Sequence, residues 1–181
     1  MPTEACARSI ILPGTLVEIA GVGVLLSGES GVGKSDAVLG LLDRGHRLIA
    51  DDAVELYLGS GRLYGRCPEP LQGLVAIRGL GILDVRQIFG QECLRSDQPV
   101  DLEIALELRQ PPVDALMVER DIRSIMDVAV PRLRLPIFGG RDLPLLLEVA
   151  ARAHQRPATG RSSRGGQQPR PSFEQGGKEG T

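Results

Sequence analysis

The sequence predicts an α/β fold in which a mixed β-sheet is flanked by helices. Three observations predict it. Residues Gly28-Glu29-Ser30-Gly31-Val32-Gly33-Lys34-Ser35 match the phosphate-loop pattern G-x-x-x-x-G-K-[ST] at every fixed position. An apolar, β-branched run from Val22 to Ser27 leads into that loop, and Ala37, Val38, Leu41 and Leu42 follow it at helical spacing. Beyond that helix, short strand-like segments follow one another with few helices between them, which fits a mixed sheet better than a regularly alternating βαβ chain.

Composition bounds the rest. A chain of 181 residues, 42% hydrophobic and 24% charged, is long enough for one domain with its own core and ordinary for a globular protein. A formal net charge of -2 gives no general reason to expect nucleic acid, and 3% aromatics with no Trp leave no stacking platform for single strands. No apolar run approaches the roughly 18 residues of a membrane helix, and Met1 to Leu12 lacks a basic start before its short apolar run. The expected setting is therefore the cytoplasm, with no membrane and no nucleic-acid partner. Cys6, Cys67 and Cys93 lie far apart with no C-x-x-C pair, so they read as reduced, partly buried small hydrophobes.

In chain order, residues 8 to 17 read as a strand broken by Pro13-Gly14 and resumed through Thr15 to Ile19, forming a meander with Val22 to Leu26 around Ala20-Gly21. The glycines at 28, 31 and 33 then let the backbone fold tightly, so that successive N–H groups point inward at phosphate oxygens. Lys34 supplies a point charge for the β- and γ-phosphates, and the Ser35 hydroxyl is placed to ligate Mg²⁺. A helix starting at Lys34 adds its dipole, and Gly45 is its expected stop.

Arg47 to Ala50 reads as a buried strand ending in Asp51-Asp52. An apolar strand ending in Asp after a phosphate loop places a carboxylate beside the metal, although Asp-Asp also starts turns. Val54 to Leu58, the turn Gly59-Ser60-Gly61, and Arg62 to Gly65 describe a hairpin. Cys67-Pro68-Glu69-Pro70 is a rigid loop into Leu74 to Asp84, where Arg78-Gly79-Leu80-Gly81 is either a turn presenting one cation and backbone to a ligand or a tight connection. A short helix-like Val85 to Phe89 closes at Gly90.

Val100 to Leu108 alternates strictly, which predicts a strand with one charged, wet face. Val113 to Met126 carries no clear period. Val128 to Ile137 reads as a Pro-bounded strand. A helix from Leu143 to about Ala153 follows, with Asp142 as N-cap and Pro144 in its first turn. Residues 1–154 thus form the phosphate-loop domain, and residues 155–181, rich in Gly, Ser, Arg, Gln and Pro, form a tail expected to be disordered.

These residues resemble the catalytic domain of the HPr kinase/phosphorylase family, bacterial enzymes that phosphorylate and dephosphorylate a serine of the phosphocarrier protein HPr. The similarity runs over about residues 8 to 154. It is carried by Gly21 to Ser35, by Arg44-Gly45-His46-Arg47-Leu48-Ile49-Ala50-Asp51-Asp52, by Ile77 to Asp84, and more weakly by Gly140-Arg141-Asp142-Leu143. The family's separate N-terminal domain has no counterpart in these residues.

The resemblance implies a phosphate-loop fold akin to phosphoenolpyruvate carboxykinase, a hexamer, ATP and Mg²⁺. It implies that Gly28 to Ser35 cradle the nucleotide, that Lys34 neutralises charge on the transferred group and that Ser35 holds Mg²⁺. It also implies that Asp52 takes the proton from the target serine and returns it in reverse. Asp51, at the same strand end, joins Ser35 as a candidate metal ligand. Four positions depart from the family pattern. Pro13 stands where the family has a His, Ala76 where it has a Mg²⁺-binding Glu, and Asp114-Ala115-Leu116 where it has an active-site Asp-Arg-Leu. Phe138-Gly139-Gly140-Arg141 replaces the loop tied to dephosphorylation, and Arg120 and Arg123 are candidates for the missing arginine. The alternative expectation is a nucleotide-binding regulator of the same family with little catalysis; a kinase for another serine or a small molecule is a third.

Overall fold

A computed structural model describes residues 8–109 and 119–156. The expectations that fall on Cys6, on Asp114-Ala115-Leu116 and on the tail beyond Arg156 lie outside the described residues.

The chain opens with β1 (Ser9–Pro13) and β2 (Thr15–Ile19), separated at Gly14, and β2 turns back into β3 (Val22–Gly28). The helix α1 (Lys34–Asp43) follows the loop, then β4 (Arg47–Ala50), the hairpin β5 (Ala53–Gly59) and β6 (Arg62–Arg66), and a second hairpin, β7 (Leu74–Ile77) and β8 (Gly81–Asp84). The helix α2 (Arg86–Phe89), β9 (Asp97–Pro99), β10 (Leu102–Leu108), β11 (Glu119–Ile125), β12 (Val128–Ile137) and α3 (Leu143–Gln155) complete it.

Six strands form the main sheet in the order β11-β12-β10-β3-β2-β4. At its centre β3, β10 and β12 run parallel, while β11 and β2 are antiparallel to their neighbours. The sheet is mixed, as the succession of strands predicts. Among the described residues, its helices lie against one face. Val24, Leu26, Ile104 and Leu106 point at Val38 and Leu41 of α1 and at Leu147 and Ala151 of α3. Against the other face lies a second, antiparallel sheet in the order β1-β5-β6-β9, whose Val54, Leu56 and Leu63 meet Leu16, Leu25 and Ile49. Alternation along β3 explains how one strand serves both layers, since successive side chains leave opposite faces.

The ends of the helices are fixed by the residues that the sequence marks. Gly45, at φ 81°, donates to Leu42 O at 2.9 Å and stops α1. Asp142 caps α3 by accepting from Leu145 N at 3.1 Å, and Arg44 Nη2 reaches the other Asp142 oxygen at 2.9 Å, which ties the end of α1 to the start of α3. Two expectations change. Pro131 and Pro136 lie inside β12 rather than at its bounds, opposite Ile122 and Glu107. Strand β10 has no wet face at its start, because it sits between two parallel neighbours and is covered on both sides. Beyond Ile125 and Val130 the sheet face turns polar, and Glu103, Glu107, Glu119 and Asp121 pair there with Arg109, Arg123, Arg132 and Arg134.

Candidate nucleotide-binding and active site

The loop from Gly28 to Gly33 joins the C-terminal end of β3 to the N-terminus of α1. Gly28 has φ 137° and lies so close to β10 that an added Cβ would stand 2.5 Å from Leu106 O; only glycine fits. Gly33, in the left-handed region, caps α1 without a side chain, which leaves the first-turn N–H groups facing the loop's interior. Lys34 Nζ donates to the carbonyl oxygens of Gly28 and Glu29 at 2.9 and 3.0 Å, so the ammonium sits inside the curve of the loop.

A cleft opens beside the loop, lined by Ser30, Gly31, Gly33, Ser35, Asp36, Asp51, Asp52, Ala76 and Arg78. Three separate parts of the chain meet there. Asp51 is buried at the end of β4, and its Oδ2 accepts from Ser35 Oγ at 2.9 Å. Asp52 is exposed and left-handed at φ 67°, and its carbonyl accepts from Gly14 N at 3.1 Å. This reversal sends consecutive carboxylates to different places: one under the loop, the next to the rim. Arg78 stands in the turn between β7 and β8, where Gly79 and Gly81 take φ 87° and 84°. Its Nη2 lies 3.0 Å from where a Cβ on Gly31 would be, so the guanidinium leans over the loop. The turn thus brings Arg78 to the wall of the cleft beside the loop.

The donor set suits Mg²⁺ chemically. A hydroxyl and a carboxylate are hard oxygen ligands, and Mg²⁺ in such sites takes one or two protein groups plus phosphate and water. Among the described residues no group of three or more His, Cys, Asp or Glu is placed to hold a metal by itself.

Several sequence candidates lie elsewhere. Ala76 lines the cleft and brings no ligand atom to it. Arg123 pairs with Glu103 at 2.7 Å, and Arg120 lines a hollow with Asp121, Ala150 and His154. Neither lines the cleft. Arg141 stacks 4.6 Å over the Phe138 ring and donates to Pro136 O. Cys67 is partly buried and Cys93 buried, in line with their reading as small hydrophobes. Burial, and then the negative charge of Asp51, pushes the Cys67 thiol up.

Two residues that sequence reasoning passes over support the site. Thr15, fully buried, donates to Asp51 Oδ1 at 2.7 Å. Glu103, also buried, accepts from Ser27 and Arg123 through Oε1, while Oε2 has no partner among the described residues. The signal for Thr15 is a hydroxyl heading a mostly apolar strand. For Glu103 it is an acid inside a strand whose parallel neighbours bury both faces.

A family model described as "HPr Serine kinase C-terminal domain" matches residues 4–167. The chain is 43% identical over 160 residues to the HPr kinase/phosphorylase of Caldanaerobacter subterraneus subsp. tengcongensis, across 87% of this chain and 52% of that protein. It is likewise 43% identical over 151 residues to the HPr kinase/phosphorylase of an Azoarcus species, across 81% and 48%. The chain thus spans about half the length of the curated relatives it matches. Among solved structures, the Hpr(Ser) kinase/phosphatase from Coxiella burnetii matches with a TM-score of 0.75 at 36% identity, over 80% of this chain and 90% of that one.

Proposed function

Because the chain belongs to the HPr serine kinase C-terminal domain family, we propose that it is an ATP-dependent kinase for a serine of the phosphocarrier protein HPr. The observation that carries this reading is the junction of Ser35 with Asp51 at 2.9 Å beneath the phosphate loop, with Asp52 on the rim of the same cleft. Phosphoryl transfer asks a protein mainly for positioning and charge stabilisation, with one acceptor for the nucleophile's proton.

In this reading the amides of Gly28 to Ser35, through Glu29, Ser30, Gly31, Val32 and Gly33, cradle the β- and γ-phosphates. Lys34 leaves its two carbonyl partners for phosphate oxygens. Ser35 and Asp51 would hold Mg²⁺, which when bound would supply positive charge against the phosphates. Arg78 adds a cation from the opposite wall, on a turn shaped by Gly79 and Gly81. Asp52 accepts the proton of the seryl hydroxyl as its oxygen bonds to the γ-phosphorus and the bond to the bridging oxygen of ADP breaks. Run backwards, the same ADP oxygen bonds to the seryl phosphorus, the bond to the seryl oxygen breaks, and the carboxyl of Asp52 returns its proton to that oxygen.

The setting proposed is the cytoplasm, with a homo-oligomer, a hexamer by resemblance, as the working form. Gel filtration at micromolar concentration tests it, and a monomer there removes the hexamer. Among the described residues, no helix is long and apolar enough to cross a membrane.

Ala76, facing the cleft where the family pattern has a carboxylate, favours a second reading in which ATP binding regulates association with a partner and transfer is slow or lost. Intact-mass analysis of HPr after incubation with the chain and Mg-ATP separates the two. The kinase reading expects one added phosphate that disappears with Lys34→Ala and with Asp52→Asn. Bound ATP without added phosphate favours the regulator.

A further inference from the structure

The residue that sets the geometry of Asp51 is Thr15. A hydroxyl buried without a partner costs free energy, and a valine of the same shape would fill the position at no such cost. Here the hydroxyl has one specific partner, Asp51 Oδ1 at 2.7 Å, 36 residues away in sequence. The other oxygen of that carboxylate accepts from Ser35. Each Asp51 oxygen is therefore held by a donor from a different element, one from a strand and one from a helix, and the carboxylate plane cannot turn without breaking one bond.

The backbone around Thr15 is built to the same end. β2 pairs with β4 through Leu16 and Ala50, and the register shifts between Leu16 and Val17. That irregularity brings the head of β2 beside the end of β4. The preceding residue, Gly14, donates to Asp52 O, and Ala53 N donates to Asp51 O at 2.8 Å. The turn from β1 to β2 thus grips the Asp51-Asp52 pair by backbone and side chain together.

We propose that Thr15 is a positioning residue for the metal site: by fixing Asp51 it makes Ser35 donate its proton to Oδ2 and present its lone pairs to the Mg²⁺ of bound nucleotide. The inference rests on the proposed function. It gives this chain, with Ala76 in the opposite wall, a buried carboxylate whose orientation does not depend on the cation.

Isothermal titration of the 181-residue chain with ATP, in EDTA and across a series of Mg²⁺ concentrations, tests it. Removing a partner of this kind costs about 10- to 100-fold in metal affinity in comparable sites. Thr15→Val is expected to raise the Mg²⁺ concentration that half-maximally tightens ATP binding by about tenfold, with ATP affinity in EDTA unchanged, and Thr15→Ser is expected to restore the wild-type requirement. A purely structural role would weaken binding equally with and without metal. That outcome, an unaltered Mg²⁺ requirement in Thr15→Val, or a Thr15→Ser variant that does not restore it, overturns the proposal. Should Thr15→Val fail to fold, the Thr15→Ser variant alone decides, since loss of the wild-type Mg²⁺ requirement there overturns it and retention supports it. A wild-type chain that binds no ATP at any Mg²⁺ concentration overturns the proposed function and this inference with it; normal wild-type binding with an unchanged Thr15→Val overturns this inference alone.

Discussion

Ser27 Oγ donates to Glu103 Oε1 at 2.5 Å, joining the last residue before the phosphate loop to the strand beside it. The same oxygen accepts from Arg123 Nη1 at 2.7 Å. One buried acid therefore holds three strands, β3, β10 and β11, in register behind the loop. Glu103→Ala leaves Ser27 and a half-buried guanidinium without their shared acceptor, and such orphaned groups cost about 1–3 kcal/mol. Urea denaturation at pH 7 is expected to register a loss of that size, with Glu103→Gln losing less because it keeps an acceptor.

Gly31→Ala tests the contact between the loop and the wall across from it. At φ 81° an alanine pays ~1–2 kcal/mol for a left-handed backbone, and its Cβ would stand 3.0 Å from Arg78 Nη2. Strain of that size placed on the binding geometry is about a tenfold loss in ATP affinity. Calorimetry should find it, and Arg78→Ala, which removes the clash and a cation together, should not rescue it.

Asp121 accepts from Arg132 Nε at 2.6 Å and from Arg134, and these guanidinium groups, Arg132 first, hold its carboxyl at about 2 against an ordinary 3.8. Because the folded value is the lower one, the stabilisation is fully present above pH 3.8 and is lost as pH falls through about 2. Asp121→Asn should melt below wild type at pH 7, and the gap should close across that window. Added salt should narrow the gap at pH 7, since the pair is solvent-exposed.

Cys67 and Cys93 should react slowly with thiol reagents at neutral pH. Burial raises both thiols, with Asp51 adding to the effect at Cys67 and Glu92 at Cys93, and the thiolate is the nucleophile. In a Cys6→Ser background, titration with a chromogenic disulfide should be slow at pH 7 and quicken as pH rises. Rapid release of one equivalent at pH 7 would contradict the placement of Cys67 beside Asp51.

The loop, α1, the Asp51-Asp52 strand end, the hairpin around Gly59-Ser60-Gly61 and the Asp142 cap were legible in the sequence because each is specified locally, by spacing or by a residue with one structural use. What sequence did not reveal depends on partners distant along the chain. The alternation of Val100 to Leu108 looks like a half-wet strand until the parallel neighbours β3 and β12 are known, and then Glu103 is an interior residue. Thr15 reads as a β-former until β4 returns beside it and supplies Asp51. Arg123 belongs to the support behind the loop, a placement fixed by the pairing of β11 with β12 and not by any local pattern.

The parallel pairing of β3 with β10, Val24 against Leu102 and Ser27 against Ala105, sets an order of assembly. Everything that names the loop is synthesised by residue 35, yet Gly28 takes its shape against Leu106, more than seventy residues later. Closing a loop of that length costs entropy before any contact repays it, and strands paired over such separations join slowly. A nascent chain ending in the first hairpin carries the whole phosphate-binding motif without the strand that shapes it. Nucleotide-binding competence therefore arrives with the second half of the domain, so ATP captured during synthesis would report a chain that has already folded past β10.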